Sequence, residues 1–162
     1  MEEQLQEIYQ NIADNVNQMI PEEWGKFYFY AQISETGGRT YFYYNTEEKP
    51  NKFHYSLEIP FNFSIDEDAF EEMDNVLFEL CDKMRDVFYE HNQELWYSFT
   101  MSLEKNGKFK IHYDYTDWFK TDYLFDDQKV IWKYKYLGIK PDHPNDQKVI
   151  ERYLEEYPDN PI

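Results

Sequence analysis

Lysine and arginine are scarce in this chain, 16 in 162 residues against 33 Asp and Glu, which leaves a formal net charge of −17. A field of that sign repels the phosphates of nucleic acids and membrane surfaces and attracts basic partners. Nucleic acid and membrane are therefore not expected as partners, and a positively charged protein is. No apolar run reaches 18 residues, and Met1-Glu2-Glu3-Gln4 lacks the basic and apolar regions of a secretory signal, so a cytoplasmic protein is expected. The single cysteine, Cys81, excludes an internal disulfide and agrees with a reducing compartment. Its spacing with Leu77, Leu80 and Met84 makes it core filler rather than a reactive thiol. Five Gly and seven Pro, with no repeat, low-complexity tract or long linker, predict one domain over residues 1–162.

The absences extend to chemistry. There is no GxGxxG, no GxxxxGK[ST] and no GxSxG, which sets aside the enzyme classes built on those glycines. His54, His91, His112 and His143 lie far apart with one Cys among them, so no zinc site is predicted. No serine is singled out as a nucleophile. Neither a cofactor, a metal nor a catalytic residue is expected.

Aromatic side chains are as numerous as acids: 13 Phe, 4 Trp and 16 Tyr. An acidic chain poor in aromatics would stay disordered, because it could not bury enough apolar surface to offset its conformational entropy. Here the aromatics supply a core and the acids must lie mostly outside.

Apolar residues at Leu5, Ile8, Tyr9, Ile12, Val16, Met19 and Ile20 make one helical stripe, ended by Pro21. From Lys26 the period becomes 2. Phe27, Phe29, Ala31 and Ile33 point one way and Tyr28, Tyr30 and Gln32 the other. Gly37-Gly38 turns the chain into a second strand, Arg39 to Asn45. A third follows, with Phe53, Tyr55, Leu57 and Ile59 alternating with His54, Ser56 and Glu58. Ser64-Ile65-Asp66-Glu67 has the form of a capping box. The helix behind it carries the stripe Phe70, Met73, Leu77, Leu80, Cys81, Met84, Val87 and Phe88. Leu95 to Leu103 and Phe109 to Tyr115 alternate across Asn106-Gly107, the signature of a hairpin. Helices are predicted around Asp127 to Tyr136, stopped by Gly138, and from about Asn145 to Tyr157. Short turns between strands, with helices grouped apart, predict an α+β domain. In it an antiparallel sheet of about five strands, a meander plus a hairpin, is covered by N-terminal, central and C-terminal helices.

Three constellations stand out. His112, Asp114 and Asp117, beside Trp118, could hold a hard cation or act as acid and base. A solvated strand edge explains them more simply, since Asp is common where a strand becomes a turn. Asp66, Glu67, Asp68, Glu71, Glu72, Asp74 and Glu79 give the central helix a dense negative face. Only the first three lie where acids favour a helix dipole, so the rest are open to two readings, a soluble face or a docking surface. Tyr28, Tyr30, Tyr41 and Tyr43 fall on strand faces opposite Phe27, Phe29 and Phe42. Open to solvent, they would suit a protein interface. Burial is favoured, because large exposed aromatic patches are rare on monomers.

Several stretches, in order along nearly the whole chain, resemble the YezG-like antitoxin (immunity protein) family of Gram-positive bacteria. They are Ile8 to Asp14, Met19 to Trp24, Gly38 to Tyr44, Leu103 to Phe109, Tyr113 to Asp117 and Ile131 to Gly138. The resemblance implies a small cytoplasmic protein encoded beside a large toxin exported by type VII secretion. It also implies binding to the toxin's C-terminal domain, typically a nuclease, with no catalytic residues to carry over.

The expectation is thus a non-enzymatic inhibitor docking on a secreted nuclease toxin. Asp66, Glu67, Glu71, Glu72, Asp114, Asp117 and Trp118 are the foremost contact residues, and Tyr28, Tyr30, Tyr41 and Tyr43 an aromatic set beside them. The alternatives are a metal-dependent hydrolase using His112, Asp114 and Asp117, and a homo-oligomeric secretion chaperone.

Overall fold

A computed structural model of the chain describes residues 1–162. Its first element is the amphipathic helix α1, Glu2–Met19, which buries Leu5, Ile8, Tyr9, Ile12, Val16 and Met19, the stripe its sequence predicts. Strands β1 (Lys26–Ser34) and β2 (Gly37–Asn45) form a hairpin in which Phe29 faces Phe42 and Tyr30 faces Tyr41. Strand β4 (Ser98–Glu104) pairs with the other side of β1, Phe29 facing Met101, and β5 (Phe109–Asp114) follows it. With β3 (His54–Tyr55) the five antiparallel strands run in the order β3-β2-β1-β4-β5.

The third strand is much shorter than its alternation suggests. β3 is only His54–Tyr55, after which Ser56–Glu58 form a 3-10 turn and Ile59–Asn62 a short helix, α2. Two residues explain the break. The Ser56 hydroxyl accepts from the Phe42 N–H at 3.1 Å, a position where a strand partner would offer a carbonyl. Pro60 cannot donate to a ladder and suits the first turn of a helix.

Helix α3, Glu67–Glu90, buries Phe70, Leu77, Cys81, Met84, Val87 and Phe88. Its cap is Asp66, not Ser64. The Asp66 carboxylate accepts from the Asp68 N–H at 3.1 Å, whereas Ser64 has φ 53°, a left-handed backbone unsuited to an N-cap. One face of the sheet, through Phe27, Phe29, Ala31, Ile33, Phe42, Tyr44, Phe99 and Met101, shares a single core with α1 and α3. The two helices are tied further by Asn15, whose side-chain amide donates to the Met73 carbonyl at 2.9 Å. Cys81 is fully buried in that core, and burial pushes its thiol pKa up, so it is packed and not poised to react.

The chain divides into two compact units, Met1–Tyr113 and Asp114–Ile162. The second holds α4 (Phe125–Trp132), a π-helical turn at Lys133–Leu137 closed by Gly138 with φ 68°, and α5 (Pro144–Glu156). Trp118 is its aromatic centre, with the rings of Tyr123, Tyr153 and Tyr157 at 5.4, 6.0 and 4.9 Å. Lys135 donates to the main-chain oxygens of Asn160 and Ile162, which ties the tail to the π-helical turn.

Candidate functional site

The residues singled out in sequence fall into two groups once the chain is folded. Asp114 and Trp118 belong to the interior. They are 3% and 1% exposed, and each Asp114 oxygen is engaged: Oδ1 by the Thr116 N–H at 2.9 Å, Oδ2 by the Trp118 indole N–H at 2.7 Å. Asp117 caps a 3-10 turn by accepting from the Phe119 N–H at 3.2 Å, and Lys120 lies 3.7 Å from its other oxygen. His112 is exposed on β5. No group of three or more His, Cys, Asp or Glu side chains is arranged to hold a metal ion.

Tyr30, Tyr41 and Tyr43 are likewise buried, leaving Tyr28 partly exposed beneath the Lys26 ammonium. The hairpin register stacks Tyr30 on Tyr41 at 5.0 Å, and Tyr43 stacks on Tyr55 at 4.9 Å. Burial, and then the neighbouring phenols, push the Tyr41 hydroxyl well above its ordinary pKa, so it stays neutral. These tyrosines stabilise the sheet and do not form an exposed contact surface.

Asp66, Glu67, Glu71 and Glu72 are all exposed on the first turns of α3, and none has an ion-pair partner. Glu67 and Asp68 sit at the positive end of the helix dipole, where each contributes about 0.3–1 kcal/mol. Glu71 and Glu72 lie beyond that reach, and nothing in the fold accounts for their charge. On α1 the exposed acids Glu2, Glu3, Glu7 and Asp14 extend the same helical layer, and α1 has no Lys or Arg. Between Lys52 and Lys83 the chain has no Lys or Arg at all. The exposed acids of α1 and α3 thus lie on helices that carry no Lys or Arg before Lys83.

Asp74 lies on α3 where the helix meets the sheet. The Thr40 hydroxyl approaches its carboxylate at 3.5 Å. Burial, reinforced by Glu71, raises the Asp74 pKa despite that contact. A carboxyl raised on folding stabilises the fold below its unfolded pKa of about 3.9 and loses that contribution as pH rises through the folded value. Asp74→Asn, which mimics the protonated acid, should therefore raise Tm at pH 7, with a gain that shrinks towards pH 4. Thermal melts at the two pH values test this, and an equal gain at both would refute the burial argument.

Sequence reasoning missed a second feature beside the acidic face. The segment from Ser56 to Phe63 exposes Leu57, Phe61 and Phe63 at 45%, 72% and 38%. In a strand these would alternate into the core; Pro60 was the signal that they do not. Phe63 also lines a cleft of about 610 Å³ together with Trp24, His54 and four acids, Glu22, Glu23, Glu47 and Glu48. Lys49, Lys52 and Lys105 line it too. Two of the acids are fixed in place: Glu22 accepts from the Tyr44 hydroxyl at 2.6 Å and Glu23 pairs with Lys105 at 3.0 Å.

The exposed acids of α3 and the exposed Leu57, Phe61 and Phe63 are the surface features that the packing of the fold does not explain. The sequence model described as "Immunity protein YezG-like" matches residues 5–151. The chain belongs to that family. Its relatives span nearly the full length. An "Immunity protein YezG" of Bacillus spizizenii is 35% identical over 93% of this chain and 91% of its own. The protein of that name from Bacillus subtilis is 31% identical over 93% and 99%. The "Type VII secretion system protein EsaG" of Staphylococcus aureus is 33% identical over 96% of each chain. Family membership supports an antitoxin role with a cognate toxin as partner, and an association with type VII secretion.

Proposed function

We propose that this chain is the cytoplasmic immunity partner of a nuclease toxin exported by type VII secretion. It is not an enzyme, and it neutralises the toxin by docking its acidic α1–α3 layer on the toxin's basic nuclease domain. The observation that carries this reading is the acidic run of α3, Asp66, Glu67, Glu71 and Glu72, without ion-pair partners and in the stretch 53–82 that has no Lys or Arg. A nuclease must attract phosphate and so carries cations around its cleft, the complement of this surface. Tyr30, Tyr41 and Tyr43 support the fold of Met1–Tyr113, and Asp114 and Trp118 that of Asp114–Ile162. Asp117 and Tyr28 are partly accessible and stay within the proposal as peripheral contacts.

The decisive assay mixes the purified chain with the C-terminal domain of the large exported protein encoded beside it, and follows plasmid cleavage and co-elution. A stable complex with cleavage abolished is expected. Co-elution with cleavage intact would instead indicate a chaperone. The acidic face is tested by Glu71→Lys combined with Glu72→Lys. Association should slow about tenfold at low salt and its dependence on ionic strength should flatten, with dissociation little changed. Unaltered association kinetics would remove α3 from the interface.

A further inference from the structure

We propose that Leu57, Phe61 and Phe63 are the apolar anchor of the toxin interface, seated against an apolar side chain on a basic segment of the nuclease domain. The inference rests on the immunity reading and adds to it the part of the surface that holds the complex together. Long-range charge speeds encounter, but slow dissociation requires desolvated apolar contact inside a polar rim. On α3 the exposed large apolar side chains are Val76 and Tyr89, thirteen residues apart, whereas this segment brings three within seven residues.

The segment is also built to present these side chains. Ile59 and Ser56 are 1% exposed and fix it to the body, Ser56 through its bond from the Phe42 N–H at 3.1 Å. The Phe63 N–H donates to the Ile59 carbonyl at 3.0 Å and the Ile65 N–H to the Pro60 carbonyl at 3.1 Å, closing two successive turns. Leu57 lies in the 3-10 turn that leads into them and Phe61 within the first of them. Phe61, at 72% exposure, contributes little to the fold and gives up water freely on contact. Anchors held in this way lose little entropy on binding.

Charge selects the occupant. Glu58 lies within the segment, Asp66, Glu67 and Asp68 begin three residues after Phe63, and in the cleft that Phe63 lines Glu22, Glu23, Glu47 and Glu48 outnumber Lys49, Lys52 and Lys105. A second copy of this acidic chain would bring like charges together, whereas a basic segment would bring opposite ones.

Phe61→Ser and the double variant Leu57→Ser/Phe61→Ser are the tests, with the toxin's nuclease domain as probe and surface plasmon resonance as readout. Phe61→Ser should weaken binding at least tenfold and the double variant about a hundredfold, through faster dissociation, with the salt dependence of association unchanged. Melting curves matching the wild type confirm that the fold is intact, and Phe61→Trp should retain affinity. If the wild-type chain binds and protects while the double variant stays within twofold, the anchor is refuted and the immunity reading stands. If the wild type neither binds nor protects, both fall. If sedimentation finds a wild-type dimer that Phe61→Ser dissociates, with toxin affinity unchanged, the patch is a self-association face and the proposal is overturned.

Discussion

Trp118→Ala is expected to destabilise the unit Asp114–Ile162 by about 4 kcal/mol or more. Truncating a fully buried indole costs about 3–5 kcal/mol in lost transfer energy and cavity. Here it also strips the Asp114 Oδ2 of its 2.7 Å donor in a site where that carboxylate is 3% exposed. A buried acceptor left unpaired costs a further 1–3 kcal/mol or so, and more when charged. Trp118→Phe separates the two effects, because it keeps an aromatic ring against Tyr123, Tyr153 and Tyr157 and removes only the N–H and part of the volume. Hydrogen exchange at α4 and α5 amides is the right readout, since two compact units need not open together. Protection should fall roughly a thousandfold in Trp118→Ala and far less in Trp118→Phe. A loss below tenfold in Trp118→Ala would mean that Trp118 is not the centre of this unit.

Gly38→Ala is the second large effect, and its cause is space rather than backbone dihedral. A Cβ at Gly38 would stand 2.0 Å from the Gln32 carbonyl oxygen and 2.9 Å from the Ile33 Cα, both backbone atoms that cannot rotate away. Gly38 pairs with Ile33 near the tip of the β1–β2 hairpin, so relief requires the two strands to part there, three register positions from the Tyr30–Tyr41 stack. A loss of about 3 kcal/mol is expected, the upper range for single substitutions. Gly107→Ala is the control. Gly107 has φ 91° with open space around its Cα, so an alanine there meets only left-handed strain of about 1–2 kcal/mol. Urea unfolding of the two variants should place Gly38→Ala clearly below Gly107→Ala. The reverse order would mean that the hairpin tip yields easily and that dihedral preference dominates.

Where the sequence was legible, a local pattern and the tertiary core demanded the same thing. The α1 stripe from Leu5 to Met19, the α3 stripe and the alternation of Phe27, Phe29 and Ile33 are buried as their spacing requires, because period 3.6 and period 2 place those residues on one face. The α+β class and the five antiparallel strands followed from that pattern and the turn chemistry at Gly37-Gly38 and Asn106-Gly107. Reading failed at residues 56–59, where apolar alternation predicted strand and a serine hydroxyl with a proline made turns instead. The α3 cap moved from Ser64 to Asp66 for a similar reason, a backbone dihedral that residue identity does not reveal.

By itself the sequence determined the charge, the helix and strand periods and the resemblance that pointed to an immunity protein, all of which depend on residue type and order alone. Only the tertiary structure decided accessibility. It buried Asp114 and Trp118 in a hydrogen bond of their own, stacked Tyr30 on Tyr41 out of solvent, and left Asp66, Glu67, Glu71 and Glu72 without ion-pair partners and Phe61 exposed. The physical reason is that exposure is set by what packs against a side chain, and those neighbours come from elements far apart in the chain, beyond the reach of any local pattern.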